Sequence, residues 1–388
     1  MKTIREILEE EKSFDTRAWK KFLYANPEIE MEEYKAKEKF IELLEKEGFE
    51  VEKDIEGLPT AFVAHKSNGE GPSIGICAEY DALPGLGHAC GHNLIGAMSY
   101  GAAVVLAEWL MQSGHKGSVC LLGTPAEETG RGKPGMLAAG CFKNVDVAMM
   151  AHPMKSTTLM SKLVNLEGYD ITFHGRAMHA AEAPWNGVNA LDAAAIFYNA
   201  VAMLRQQLRD GSRVHMIVTD GGDAVNIIPE RAALRVEIRH SDFKYFRELV
   251  NKVLGIAEYA AKAAGCTVDI EMFEPPIYCM KNNRPMIELF KRRMHEQGIT
   301  EYVEEAATGG GCTDMGNVSQ EVPSIHPWMK MARPDSDGHT LEFLEDADSP
   351  YAIEQMYKVI YCLAGTGADI LAEPKLLDGI KAAFAAED

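Results

Sequence analysis

An α/β fold, with a mixed and mostly parallel sheet covered by helices, is what the sequence predicts, and three observations predict it. Short apolar runs without strict alternation recur at Ser73–Ala78, Ser118–Leu122 and Val145–Met150, as expected of strands buried on both faces. Between the first two lies Asn93–Met111, rich in Ala, Leu and Gly and long enough for a crossover helix. From about residue 162 the texture changes to alternating strands and amphipathic helices in the order of a small βαββαβ, ferredoxin-like domain.

The elements follow in chain order. Residues 2–25 and 33–48 carry apolar side chains at helical spacing, Phe40, Ile41 and Leu44 among them, and Asn26-Pro27 breaks the two helices apart. The three apolar runs and the crossover helix come next. Glu167–Phe173 alternates as a half-buried strand, Asn189–Leu208 is helical, Val214–Val218 is a strand and Arg231–Arg239 alternates again. Phe243–Ala264 is helical and Thr267–Ile270 is a strand. After Pro275-Pro276 the helix-and-strand texture returns. The expected domains are therefore 1–161 plus 276–388, and an inserted 162–275.

Bulk properties remove several classes. A net charge of -19 argues against nucleic acid or an anionic membrane as partner, since phosphates would be repelled. Charges interrupt the apolar residues of Met1–Glu6, so no secretory core is expected there, and no uncharged apolar stretch of about 18 residues stands out as a membrane span. Eight cysteines dispersed through a long chain read as reduced thiols and a cytoplasmic protein.

In open α/β sheets ligands sit beyond the carboxyl ends of the strands. The first apolar run leads into Glu79-Tyr80-Asp81 and Gly87-His88-Ala89-Cys90-Gly91-His92, the second into Pro125-Ala126-Glu127-Glu128, and the third into Ala151-His152-Pro153. Each piece alone is ordinary: a Cys-x-His pair arises by chance, Glu-Glu is a common solvated surface pair, and a strand-ending His is more often a satisfied histidine than a ligand. Their coincidence at one rim assembles thiolate, imidazole and carboxylate, the ligand set of zinc or a similar divalent ion. Cys90 precedes the crossover helix, whose N-terminus favours a thiolate that could bridge two cations. A Cys90 nucleophile activated by His88 or His92 is the rival reading, and it leaves Glu127, Glu128 and His152 without a task. Consecutive glutamates point apart, so we take Glu128 as ligand and Glu127 as the base that moves a proton from water to a leaving amine.

These residues resemble the dinuclear metallopeptidases of the aminoacylase and carboxypeptidase-G type. Within them they are similar to the amidohydrolase branch of hippurate, aminobenzoyl-glutamate and indole-acetyl-amino-acid hydrolases, nearest to β-alanyl-lysine dipeptidase-like proteins. Further matching stretches are Asp81-Ala82-Leu83-Pro84, Gly175–Ala181, Gly187–Ala190, Val225–Pro229, Thr313–Gly316 and Gly338-His339-Thr340. The resemblance implies metal ligands Cys90, His92, Glu128, His152 and His339, holding two divalent ions, zinc first with manganese, cobalt or nickel as alternatives. It implies that the inserted domain makes a homodimer and that His179 stabilises the oxyanion in the partner's site. Asn226 and Arg239 would hold the substrate carboxylate, a task suited to Arg's forked donors.

Departures from the pattern stand beside it. Glu79-Tyr80-Asp81 replaces the family's His-x-Asp, Asn93 replaces an Asp, and His326 rivals His339 as last ligand; His65, His115, His240 and His295 are expected to face solvent. The expected activity is metal-dependent hydrolysis of N-acyl amino acids or dipeptides with a free carboxylate. A dinuclear aminopeptidase and a non-catalytic binding protein on the same fold are the alternatives.

Overall fold

The computed structural model describes residues 2–11, 15–306 and 312–386. They form two compact units, one from residues 2–11, 15–162, 280–306 and 313–386, the other from residues 163–279 and 312.

In the first unit all three apolar runs become strands of one six-stranded sheet. Its order is Glu50–Glu52, Phe62–Ser67, Ser118–Gly123, Ser73–Ala78, Val147–Met149, Ser324–Ile325. The four strands from Ser118–Gly123 onward run parallel, and every residue of Ser73–Ala78 and Ser118–Gly123 is buried. Burial on both faces is why these runs lack alternation. Phe62–Ser67 and Glu50–Glu52 join antiparallel at the other side and make the sheet mixed; the sequence reading missed both. A second sheet of four short strands, Val303–Glu305, Thr158–Met160, Trp328–Lys330 and His152–Met154, was also missed, because three residues carry no usable period.

The crossover helix spans His92–Ser113 and is buried nearly all round, packed against the helices Asp15–Ala25 and Pro350–Ala372. By length and composition it is apolar enough to cross a membrane, although Glu108 interrupts it, and most of its apolar window is covered by the fold. A helix apolar on every side is the centre of a large core. Residues 2–25, read as one helix, carry two, Ile4–Glu11 and Asp15–Ala25.

The second unit runs strand Asn165–His174, helix Ala190–Leu204, strands Arg213–Asp220 and Arg231–His240, helix Phe243–Ala264, strand Thr267–Met272. The strands form one antiparallel sheet in the order Thr267–Met272, Asn165–His174, Arg231–His240, Arg213–Asp220. Ile171, Phe173, Leu234 and Val236 pack with Phe197 and Phe246 from the two helices, each such side chain contributing about 1.5–3 kcal/mol by burial. Asp242 caps the long helix, its carboxylate accepting from the Tyr245 amide at 2.8 Å. His240, expected to face solvent, is buried here: it accepts from the Asp242 amide at 2.9 Å and sets its ring edge-on to Tyr245.

Candidate metal centre

The rim of the first unit's sheet gathers the expected donors, and the local backbone explains how. Gly91 caps the crossover helix at φ 83°, and a Cβ there would lie 2.5 Å from Pro153 Cγ, so only glycine lets the chain turn from Cys90 into His92. Ala126 takes φ 51° directly before the short helix Glu127–Thr129. That left-handed residue costs roughly 1–2 kcal/mol and is held by its amide, which donates to Glu33 Oε1 at 3.0 Å. Glu33 is itself buried, its Oε2 accepting from the Thr60 hydroxyl at 2.6 Å. His339, also left-handed at φ 65°, donates its amide to the Ala89 carbonyl at 2.9 Å, hooking its loop onto the Cys90 turn.

Donor atoms of Cys90, His92 and His152 all lie within 4.8 Å of one another, and so do those of Cys90, Glu128 and His339. Cys90 belongs to both groups. Its Sγ is 3.5 Å from His152 Nε2, and Glu128 Oε2 is 3.5 Å from His339 Nε2. Two donors bound at 2.0–2.3 Å to one tetrahedral ion stand roughly 3.3–3.6 Å apart, so both spacings suit a shared cation. The imidazoles are oriented for it. His92 Nδ1 sits 2.9 Å from Asp81 Oδ1 and 3.0 Å from the Asp81 carbonyl, and His152 Nδ1 sits 2.8 Å from the Pro153 carbonyl. With only oxygens facing it, each Nδ1 carries the hydrogen and leaves Nε2 as the bare ligand atom. His92 Nε2 and Glu128 Oε1 are buried without a hydrogen-bond partner among the described residues. Five residues named from sequence thus meet in two overlapping sets whose donor chemistry suits divalent cations.

The electrostatics agree. Burial pushes the Cys90 thiol up, and the opposing pull of His92 does not offset it. A bound cation would favour the thiolate that burial opposes. Burial lowers His152 to about 4 and keeps the imidazole neutral. Burial acts the same way on His92, but Asp81 and then Cys90 outweigh it and raise the pKa of that ring, until a cation takes Nε2 in place of a proton. Asp81 also accepts the Glu128 amide at 3.0 Å on its other oxygen. It orients two candidate ligands at once, and Asp81→Ala should weaken metal binding by about 10–100-fold, measured by chelator competition. Unchanged affinity would remove that role.

Glu127, the expected base, lies with Glu79 and His92 in a third group of donors within 4.8 Å. Burial and then the charges of Glu79 and Asp314 raise its pKa well above the ordinary range, as suits a group that must take and return a proton. Sequence reasoning missed Lys133. Fully buried, it donates to Glu79 Oε1 at 2.6 Å and to Asp314 Oδ1 at 2.5 Å. Burial alone would lower the lysine, and the two carboxylates reverse that and hold its charge. Nothing in Gly-Lys-Pro-Gly announces a buried cation. His326 is buried with its ring centre 5.8 Å from that of His152, and falls in none of the donor groups. His88 is buried beside the ligand turn and falls in none either.

The remaining expected residues lie in the second unit. His179 is exposed, its backbone bridged to Ile227 and its Nδ1 accepting from the Ala181 amide at 3.2 Å. Asn226 is exposed, and its carbonyl accepts from the Ala180 amide at 2.9 Å, which brings the two expected stretches together. Arg239 is half-buried at the end of its strand and donates from Nε to Glu237 Oε1 at 2.7 Å. Burial and then Glu237 raise the pKa of nearby Glu274, against the opposing pull of Arg239.

Compared with known proteins, residues 75–362 match the model of peptidase family M20/M25/M40. Over 377 residues the chain is 37% identical to the Mus musculus protein named Xaa-Arg dipeptidase, covering 93% of this chain and 87% of that one. It is 31% identical to a p-aminobenzoyl-glutamate hydrolase chain of Escherichia coli (strain K12), over 73% of this chain and 62% of that one. The fold is similar to the crystal structure of the Bacillus subtilis YXEP protein, described as a dinuclear metal-binding peptidase of the M20 family. That likeness has a TM-score of 0.66 at 21% identity and covers 90% of this chain and 96% of the other.

Proposed function

Because this chain belongs to peptidase family M20/M25/M40 and is a metal-dependent hydrolase of amide bonds, we propose that it cleaves dipeptides or N-acyl amino acids that keep a free carboxylate. The observation that carries the reading is the pair of donor groups sharing Cys90. We assign Cys90, His92, Glu128, His152 and His339 as the ligands of two divalent ions. Zinc suits thiolate, imidazole and carboxylate together, and manganese, cobalt or nickel can replace it. Such ions supply Lewis-acid polarisation of the amide carbonyl and make water nucleophilic near neutral pH. Glu127 takes the proton from the attacking water and delivers it to the nitrogen of the leaving amine. We assign His179 to the oxyanion and Asn226 and Arg239 to the substrate carboxylate.

Within this class we favour dipeptides ending in a basic residue, on two supports. The mouse relative is named for Xaa-Arg dipeptides, and the chain carries a net charge of -19, which attracts cationic substrates. The test is metal analysis with a screen of free and amine-blocked dipeptides and N-acyl amino acids. Loss of all activity on amine-blocked substrates would point to an aminopeptidase instead. Arg239→Ala should raise KM for carboxylate-ended substrates about tenfold or more, the size of one charge-assisted hydrogen bond lost, with kcat little changed. An unchanged KM would sink that assignment.

We further propose that the second unit is a ferredoxin-like dimerisation domain. Among the described residues its edge strand Arg213–Asp220 pairs on one side only and exposes Ile217 and Val218, while Met203 is exposed on the helix Ala190–Leu204. An unguarded edge with apolar side chains favours a second copy. Ile217→Lys with Val218→Glu should convert a dimer to a monomer in sedimentation analysis; a dimer that persists would place the interface elsewhere. Eight free thiols are consistent with the cytoplasmic location we propose.

A further inference from the structure

Resting on the dinuclear reading above, we infer that Glu79 is a further donor to the ion that His92 holds, with Lys133 and Asp314 as the clamp that presents it. The two oxygens of Glu79 are used differently. Oε1 accepts from Lys133 Nζ at 2.6 Å. The lysine is fixed in turn by Asp314, whose Oδ1 takes Nζ at 2.5 Å and whose Oδ2 takes the Lys133 backbone amide at 3.0 Å. Oε2 has no hydrogen-bond partner among the described residues, although the side chain is fully buried.

A glutamate placed only to neutralise Lys133 would leave that second oxygen an orphan, at a cost of about 1–3 kcal/mol. Facing it is instead another orphan. Oε2 stands 3.5 Å from His92 Nε2, itself unpartnered, and that is too long for a useful hydrogen bond. Two donors bound to one zinc-like ion at tetrahedral angles stand roughly 3.4 Å apart. The same 3.5 Å recurs between Cys90 Sγ and His152 Nε2 and between Glu128 Oε2 and His339 Nε2. Glu79 also shares its donor group with His92 and Glu127, so a second carboxylate and an imidazole converge on the point that Oε2 faces. Such a place calls for a cation. Lys133 and Asp314 are positioning residues: they hold one oxygen so that the other cannot turn away.

The test measures metal on the full chain by equilibrium competition with a chelator, using zinc and then cobalt, whose visible spectrum reports its ligands. Wild type, Glu79→Gln, Glu79→Asp and Cys90→Ala are compared. In Glu79→Gln the amide oxygen still accepts from Lys133, so the clamp survives while an NH2 replaces the second oxygen. We expect one of two binding steps to weaken by about 10–100-fold and the cobalt bands of that ion to shift, with the other step unchanged. Should Glu79→Gln not fold, Glu79→Asp, which keeps the charge but shortens its reach, carries the same comparison. Both steps within twofold of wild type and an unchanged cobalt spectrum would overturn the inference and leave Glu79 a counter-ion for Lys133. A wild type that binds one ion, or a Cys90→Ala variant that binds two as tightly, would instead overturn the dinuclear reading.

Discussion

Glu127→Gln should lower kcat by about 10²–10⁴-fold while metal content and KM stay within a factor of two. The amide keeps the volume of the side chain and some of its hydrogen bonding but cannot carry a proton. Glu127 sits among the proposed ligands, its Oε2 3.9 Å from His92 Nε2, where burial and the charges of Glu79 and Asp314 raise its pKa above that of an ordinary carboxylate. A base of raised pKa accepts a proton from water readily and, once protonated, is acid enough for a leaving amine. The separation of kcat from metal content is what distinguishes a proton carrier from a ligand. If the variant lost an ion along with its turnover, Glu127 and Glu128 would have to exchange roles. Full turnover with both ions bound would rule out a proton carrier at this position altogether.

Lys133→Met should cost about 3–5 kcal/mol of stability, read by urea unfolding. Lys133 is wholly buried with two carboxylates on its ammonium group. Removing a buried charge whose partners stay behind leaves those partners unpaired, and that penalty exceeds the net worth of the bridge. The triple variant Lys133→Met, Glu79→Gln, Asp314→Asn removes the stranded charges and should recover much of the loss. A single variant as stable as wild type would show that water reaches the pair and screens it.

The sequence made some of this plain and hid the rest, for physical reasons. Ser73–Ala78 and Phe243–Ala264 were legible to the residue, the first as a short apolar run ending at a polar stretch, the second as a long amphipathic helical pattern. Glu50–Glu52 and the four short strands of the second sheet were not, since pairing rather than local pattern makes them strands. Of the proposed ligands, Cys90, His92, Glu128 and His152 could be picked out as candidates because each comes after an apolar strand, and strand ends converge. His339 had no such mark and came from resemblance alone; the amide hooked onto Ala89 is a contact between segments far apart in the chain that no local reading reveals. Lys133 was hidden for the opposite reason. A lysine is expected at the surface, and only the two acids folded around it make its burial tolerable.

The left-handed Ala126 carries one more implication, for where this chain can be cut. Its amide hangs on Glu33, which also accepts from the Met31 amide at 3.1 Å and the Thr60 hydroxyl. Glu33 lies upstream of residue 75, where the stretch matched to the family begins. A fragment trimmed to that boundary would retain every proposed ligand and the proposed base. It would lose the carboxylate that keeps Ala126 in its strained turn, and the pair of glutamates beyond it would relax away from the rim.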